Sequence, residues 1–266
     1  MTLTSAYLLV FHGSRDPRPQ IAGERLAYQI QKSLSPATQA PPPSSESQQP
    51  NNSLALLSKT TIPVLATAVL ELGKIPLHQS ITEFALQAQK AGLEKVKILP
   101  MFLLAGVHVK EDIPKEIALA RKNLSGGIQL ELLPYLGSNG NLQVILAKKL
   151  AQFSTSARIL LAHGSRRLGG NQPVKAMAAS LNAAVAYWSV APNLQAQITA
   201  LEAIGHQKIA IQPYFLFNGG ITEAIATHVK QIQGNFPNLQ IFLGEPLGAT
   251  TELAELVVKR LNFPTS

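Results

Sequence analysis

The stretch that decides the fold is YLLVFHGSR at residues 7–15, in which an apolar run leads directly into a histidine, a glycine and a serine. Part of it returns as AHGSR at residues 162–166, again behind an apolar run that starts at residue 159. A buried strand that ends in a histidine, followed by a glycine that turns the backbone, presents an imidazole at the mouth of a pocket. The recurrence indicates an internal duplication.

Two further pairs of segments support the duplication. PMFLLAG at 100–106 matches PYFLFNG at 213–219, and LPYLG at 133–137 matches GEPLG at 244–248. The first copy is longer before its PMFLLAG segment, and half of the excess lies in residues 35–53, which consist almost entirely of Pro, Ser, Gln, Ala, Asn and Thr. Such a composition predicts a disordered surface loop without a catalytic role.

Apolar runs alternate with helical patterns in both halves, which predicts parallel sheets covered by helices. The clearest helix follows Pro76, with one apolar face made of Leu77, Ile81, Phe84, Ala85 and Ala88. The expected fold is α/β, with two tandem halves that each hold a mostly parallel four-stranded sheet with helices on both faces. The predicted halves are 1–153 and 154–266, with a linker near 153–157. The predicted strands are 7–11, 64–72, 96–104 and 128–136 in the first half, and 158–162, 183–190, 209–217 and 239–243 in the second.

Composition limits the classes of function. The 266 residues are 46% hydrophobic and contain no cysteine, so a large core is expected while disulfides and thiolate chemistry are excluded. A net charge of +8 favours an anionic partner, but scattered basic residues and few aromatics favour a small anion over nucleic acid. We interpret residues 1–11 as the start of a strand and not as a signal peptide, and no apolar window is long enough to predict a membrane span. We therefore expect a cytoplasmic protein without membrane partners.

Three side chains are expected where the predicted strands of the first half end, namely His12, Glu71 and His108. Ligands of open parallel sheets bind beyond the carboxyl ends of the strands. Two imidazoles and a carboxylate suit Fe, Co, Ni or Zn, and an imidazole that releases the ion can accept a proton. The alternatives are structural: a hydrogen-bonded histidine at a strand end, a solvated loop histidine and a carboxylate that caps a loop.

The second half does not repeat this set. His163 is present, but Ile221 stands where His108 would fall, and residues 187–189 supply no acid. We therefore expect one metal site per chain. The remaining histidines are assigned to structure, and they are His78, His206 and His228.

Three motifs together resemble the sirohydrochlorin chelatases, the cobaltochelatases and ferrochelatases that insert a metal into an early modified tetrapyrrole. They are HGSRDP at 12–17, LEL at 70–72 and FLLAGVHVKEDIP at 102–114. The resemblance covers nearly the whole chain, because the long form of that family consists of two fused chelatase-like halves. The insert at 35–53 and the second half without a counterpart of His108 depart from the family pattern.

The resemblance implies a metal chelatase, a lyase of siroheme or cobalamin biosynthesis, and assigns roles to individual residues. His12 would be a metal ligand and proton acceptor, and His108 the second ligand. Glu71 matches an acidic position found in part of the family and would be a further ligand. The residues expected against the macrocycle or its rim are Ser14, Arg15, Lys74, Leu103, Leu104, Ala105, Gly106 and Val107.

The implied substrates are a flat polycarboxylate ring and a divalent ion, Fe²⁺ or Co²⁺, between which these ligand types do not choose. The net positive charge of the chain, with Arg15, Lys74 and Lys110 near the predicted rim, agrees with such a ring. No nucleotide-binding motif occurs, so no ATP and no tightly bound cofactor are expected. A monomer is expected, with a dimer left open. The alternatives are a tetrapyrrole or metal carrier without turnover and a protoporphyrin ferrochelatase.

Overall fold

Each half of the duplicated sequence forms its own four-stranded sheet, and every strand pairing is parallel. The computed structural model describes residues 5–34 and 65–262. The insert predicted at 35–53 lies outside these residues. The strands are β1 (Ser5–Phe11), β2 (Leu65–Val69), β3 (Lys95–Pro100), β4 (Gln129–Leu132), β5 (Ala157–Ala162), β6 (Ala184–Tyr187), β7 (Lys208–Pro213) and β8 (Gln240–Leu243).

Helices connect the strands in both halves, as the alternation in the sequence predicts. A five-residue π-helical turn, His108–Asp112, leads into the third helix, and a short 3₁₀ turn spans Leu136–Ser138. The α-helices are α1 (Pro17–Leu34), α2 (Leu77–Lys90), α3 (Ile113–Lys122), α4 (Leu142–Leu150), α5 (Gln172–Ser180), α6 (Leu194–Ala203), α7 (Gly220–Asn235) and α8 (Thr251–Asn262).

The strand order creates a ligand-binding position in each sheet. The first sheet runs β2-β1-β3-β4 and the second runs β6-β5-β7-β8. From β1 the chain first moves outward to β2 and then crosses back to place β3 on the other side of β1. The loops that follow β1 and β3 therefore leave the sheet in opposite directions at a switch point, where open α/β sheets bind their ligands.

Three apolar clusters make up the core. The central cluster lies between the two sheets and includes Leu26 of α1, Leu146 of α4, Val174 of α5 and Val257 of α8. The outer cluster of the first half packs α2 and α3 on β1 and β3. A third cluster does the same with α6 and α7 on the second sheet. Helices thus cover both faces of each sheet, and the two halves share one apolar layer.

The last helix of each half packs against the other half. Helix α4 contacts β7, and α8 contacts α1. The guanidinium of Arg260 in α8 is buried and donates hydrogen bonds to the carbonyl oxygens of Pro134 and Leu136, each at 2.8 Å. These contacts hold the two sheets in a fixed relation. No helix of the described chain is long and apolar enough to cross a membrane.

The observed elements agree with the predicted ones in order and type but not in every bound. Helix α2 buries the five apolar residues predicted for its inner face. Strands β2, β3, β4 and β7 each end three to four residues before the end of the apolar run that predicted them. Their surplus apolar residues belong to loops at the carboxyl edge, where most of them face the cleft or the shared core, while Leu70 and Phe102 pack against the outer cluster of the first half.

Candidate metal site and cleft

The first histidine follows β1 directly, and the backbone after it is locked to the loop after β2. Gly13 has a φ of +99°, and a β-carbon placed there would lie 1.9 Å from the carbonyl oxygen of Glu71. The amide of Glu71 in turn donates a hydrogen bond of 2.9 Å to the carbonyl oxygen of His12. Only glycine fits this close approach at a positive φ, so the HG dipeptide fixes where the imidazole leaves the sheet.

The second histidine begins the π-helical turn and meets the first. Nε2 of His12 and Nε2 of His108 lie 3.2 Å apart, and the two rings contact edge to face with centroids at 4.7 Å. The ring of Phe102 lies 6.2 Å from each imidazole. The two histidines, 96 residues apart in sequence, are therefore neighbours on an aromatic support.

The contacts of the two Nδ1 atoms determine which ring nitrogens can bind a metal. Nδ1 of His12 lies 3.0 Å from the carbonyl oxygen of Gly13, and Nδ1 of His108 lies 2.8 Å from Oδ2 of Asp112. A carbonyl and a carboxylate oxygen only accept hydrogen bonds, so both Nδ1 atoms act as donors. Both Nε2 atoms are then left without a proton, and at 3.2 Å they are close enough to bind one ion together.

The acid predicted for this site lies beside the imidazoles. Ligand atoms of His12, Glu71 and His108 all lie within 4.8 Å of one another, and they form the one such three-residue group in the described residues. Oε1 of Glu71 is 4.0 Å from Nδ1 of His108. His12 and Glu71 are exposed, and His108 is about one-third exposed. The group is therefore open to an ion that enters and leaves.

The separation of the imidazoles fits a first-row metal. With metal–nitrogen bonds of about 2.1 Å, the length typical of zinc–imidazole bonds, two nitrogens 3.2 Å apart subtend an angle of about 100° at the ion. That angle lies between the octahedral and tetrahedral values. A divalent ion of the iron-to-zinc group fits the two histidines without a change of backbone.

A cleft of about 480 Å³ lies beside this group, between the two halves. The first half contributes His12, Ser14, Glu71 and Lys74 to its lining, and all four are among the residues proposed for the site from the sequence. Lys74 is the one basic residue among the lining residues. Arg15 and Lys110 are not among them, so the cationic rim expected from the sequence is reduced to a single lysine at the cleft wall.

The loop of Leu103, Leu104, Ala105, Gly106 and Val107 was predicted to lie against the ligand, and it does not line this cleft. Leu103 and Leu104 instead pack against the central apolar cluster. The carbonyl of Leu103 is also covered, because a β-carbon on Gly137 would lie 2.1 Å from it. The loop carries His108 into place from behind, and only Val107 in it is well exposed, at 40%.

The opposite wall comes from the second half, and its residues were not among those predicted for the site. The lining residues there are Phe215, Leu216, Phe217, Gly219, Gly220, Ile221 and Thr222. Phe217 lies with its ring centroid 5.9 Å from that of Phe11, which closes the inner end of the cleft. These residues match the segment that carries His108 in the first half, so a signal for the wall existed in the repeat itself.

Two ion pairs connect the halves on either side of the site. Arg18 contacts Asp16 next to it and Glu223 at the start of α7. Its guanidinium lowers the pKa of Asp16 to about 2 and also lowers the pKa of Glu223. Arg167, which follows the second HGSR phrase, lies 3.1 Å from Glu111 in the π-helical turn. Arg18 at the start of α1 and Arg167 in the loop after β5 thus each contact a glutamate of the other half, in the segment after that half's third strand.

The second histidine phrase has a different environment. Nδ1 of His163 lies 3.1 Å from Oγ of Ser189, whose hydroxyl donates to the carbonyl of His163. No second imidazole or carboxylate joins His163 to form a metal-ligand group in the described part of the chain. Ile221, at the position of the missing histidine, is 41% exposed and faces the cleft of the first half.

The remaining histidines lie outside the three-residue group in the described residues. His78 lies in the first turn of α2, where its amide and Nδ1 both contact Oε2 of Glu116, at 2.8 and 2.9 Å. His206 lies in the turn before β7. His228 lies inside α7 with its ring 6.0 Å from that of Trp188.

Comparisons with known proteins agree with this architecture. The family model described as CbiX matches residues 46–153 and again residues 157–262. The first match begins after β1, so the placement of His12 comes from the structure. A curated sirohydrochlorin ferrochelatase of Priestia megaterium is 23% identical over 212 residues, which cover 74% of this chain and 76% of that protein.

Two solved structures share the fold over nearly the full length. SirB from Bacillus subtilis with Fe³⁺ superposes with a TM-score of 0.74 at 19% identity, and 98% of this chain and 95% of that chain are covered. A CbiX described as the terminal enzyme for biosynthesis of siroheme in denitrifying bacteria gives a TM-score of 0.61 at 18% identity, with 98% and 100% covered.

Proposed function

This chain belongs to the CbiX family of sirohydrochlorin chelatases, and we propose that it inserts a divalent metal, Fe²⁺ or Co²⁺, into sirohydrochlorin without ATP. The observation that carries the proposal is the convergence of the Nε2 atoms of His12 and His108, 3.2 Å apart, at the edge of a cleft between two halves. Relatives described as a sirohydrochlorin ferrochelatase and as SirB with Fe³⁺ or in complex with cobalt support the choice of substrates.

In the proposed reaction the metal ion is a substrate that first binds His12, His108 and Glu71. The flat ring then enters the cleft, whose walls from the second half are mainly apolar and include Phe217 and Ile221. Lys74 on the opposite wall pairs with a carboxylate of the ring. The ring nitrogens thereby come to the ion from the side that the protein leaves open.

Transfer requires that the two pyrrole N–H protons leave as the ring nitrogens bind the ion. We assign the first proton to Nε2 of His12, which loses its bond to the metal as the ring takes the ion. His12 suits this role because its Nδ1 is held only by a neighbouring carbonyl oxygen and its side chain is exposed. Glu71, within 4.8 Å, is the second acceptor. The products are the metallated ring and two protons, and no oxidant or nucleotide is consumed.

The test is a spectrophotometric assay in which sirohydrochlorin is mixed with Co²⁺ or Fe²⁺ and the change of absorbance is followed with and without protein. We expect accelerated metallation by the wild type, loss of that acceleration in His12→Ala and His108→Ala, and most of the rate in His163→Ala. Equal loss in all three variants would overturn the single-site assignment. Binding of both substrates without acceleration would identify a carrier, and faster metallation of protoporphyrin would identify the other ferrochelatase class.

A further inference from the structure

A carboxylate outside the proposed ligand set holds His108 in place. Oδ2 of Asp112 lies 2.8 Å from Nδ1 of His108, and Nε2 of the same ring faces His12 at 3.2 Å. We infer that Asp112 is a positioning residue, which keeps the proton of His108 on Nδ1 and aims the lone pair of Nε2 at the metal. The inference rests on the proposed function, since it assigns His108 to a metal that is a substrate.

The side chain of Asp112 does not serve the local helix. Asp112 is the residue that precedes α3, a position where aspartate often accepts hydrogen bonds from the free amides of the first turn. Here its side chain makes no such capping bond. The carboxylate is directed to His108 instead, so stabilisation of the helix end does not account for an aspartate at this position.

The π-helical turn that carries both residues is specific to the first half. Before it, matching residues of the two halves are offset by 113, as in 100–106 and 213–219. After it, the buried positions are offset by 112, because Ile113, Ile117 and Ala120 of α3 correspond to Ile225, Val229 and Ile232 of α7. A π turn holds one residue more than an α turn, so the extra residue of the first half lies inside His108–Asp112.

The carboxylate and the imidazole are absent together from the second half. In α7, Ile221 takes the place of His108, and the place of Asp112 falls on Ala224 or Ile225, depending on where the extra residue is counted. Neither residue has a polar side chain. The first half has both the imidazole and the carboxylate, and the second half has neither at the matching positions. This is expected if the imidazole and the carboxylate act together.

The two imidazoles therefore differ in what holds them. A carboxylate behind a metal-binding histidine fixes the ring and makes it a stronger ligand, and its removal typically weakens metal binding or activity by about 10- to 100-fold. His108 has such a partner and His12 has only the carbonyl of Gly13. Asp112 thus makes His108 the ligand that retains the ion while His12 is released to take a proton.

The test measures Co²⁺ binding by visible absorption in Asp112→Asn, with Glu111→Gln as the matched control. Glu111 is the neighbouring carboxylate of the same turn, but it faces Arg167 and not His108. We expect Asp112→Asn to weaken Co²⁺ binding about 10- to 100-fold and Glu111→Gln to leave it unchanged. The KM for sirohydrochlorin should stay the same in both, because Asp112 does not line the cleft, and Asp112→Glu should recover part of the affinity.

A second measurement uses the wild-type protein alone. Nitrogen-15 NMR of the metal-free chain should place the neutral His108 proton on Nδ1, and Asp112→Asn should shift it toward Nε2. A wild-type His108 with its proton on Nε2, or a Co²⁺ affinity in Asp112→Asn equal to the wild type, would overturn the inference. Failure of the proposed function is recognised separately, since the wild type would then not accelerate the metallation of sirohydrochlorin, whatever the Co²⁺ affinity of Asp112→Asn.

Discussion

Replacement of Gly13 by alanine tests whether the backbone after β1 places the metal site. The new β-carbon would lie 1.9 Å from the carbonyl oxygen of Glu71, whereas real contacts of this kind are not shorter than 3.0 Å, so the two groups must separate by at least 1.1 Å. The atoms that must move belong to Gly13, the neighbour of His12, and to Glu71, which is itself a proposed ligand. A misplacement of about 1 Å in a catalytic site can reduce the rate about 100-fold, and we expect a loss of that size in metallation.

Stability should fall as well, because alanine at a φ of +99° is strained by about 1–2 kcal/mol before the clash is counted. Two control variants separate the contributions. Gly126→Ala has a similar φ of +93° but open space around the new β-carbon, so it should show the strain alone with an unchanged rate. Gly164→Ala, at the same place in the second half, meets Val190 and Tyr187 and should lose stability while the rate is kept.

The measurements are urea denaturation followed by circular dichroism and the initial rate of sirohydrochlorin metallation. The reasoning is refuted if Gly13→Ala keeps the wild-type rate. It is also refuted if Gly164→Ala loses as much activity as Gly13→Ala at equal stability, because the second phrase would then be as important for the reaction as the first.

The other predictions concern the cleft, the connection of the halves and the pH dependence. Ile221→Trp should fill part of the cleft and raise the KM for the ring in the metallation assay without weakening Co²⁺ binding. Lys74→Ala should raise the same KM, and the increase should diminish at high ionic strength because screening already weakens the wild-type contact. Arg260→Met leaves buried carbonyl acceptors without a donor, so we expect a loss of about 1–3 kcal/mol in the free energy of unfolding. Because Arg18 lowers the pKa of Asp16 from 3.8 to about 2, their contact stabilises the fold above about pH 4 and is lost as the pH falls through 2. The difference in Tm between the wild type and Arg18→Ala should therefore be constant at neutral pH and shrink between pH 4 and pH 2.

The sequence predicted the fold well because its signals are local and repeated. Each strand is a short apolar run, α2 shows its buried face by spacing alone, and the duplication requires the same arrangement twice. The bounds at the carboxyl ends were wrong because apolar loop residues cannot be distinguished from strand residues by composition. Leu103 and Leu104 extend the run of β3, but they bend away after Pro100 to fill the shared core.

The sequence could predict those site residues that directly follow strands, because the ends of neighbouring parallel strands lie at the same edge of the sheet. His12, Glu71 and His108 could be placed together because parallel strands share a carboxyl edge. Asp112 was missed, although it lies four residues after His108. Its proposed role depends on a π-helical turn, and the spacing of apolar residues does not predict such a turn. The residues of the wall around Phe217 were missed for another reason: the repeat relates them to the segment of His108, but it does not show how the two halves pack on each other.

The segment after the third strand differs between the two halves, and under the proposed function this difference gives the second half its own part in the binding of the ring. In the first half the segment after the third strand carries His108, and in the second half the corresponding segment carries Ile221 and forms the far wall of the first half's cleft. A second histidine and its carboxylate there would put charge on the wall that the ring must contact. Under the proposed function, the apolar segment of the second half gives the ring a surface to contact beside the ligand pair of the first half. We expect Ile221→His to weaken binding of the ring more than it strengthens binding of Co²⁺, and a variant that gained affinity for both would contradict this account.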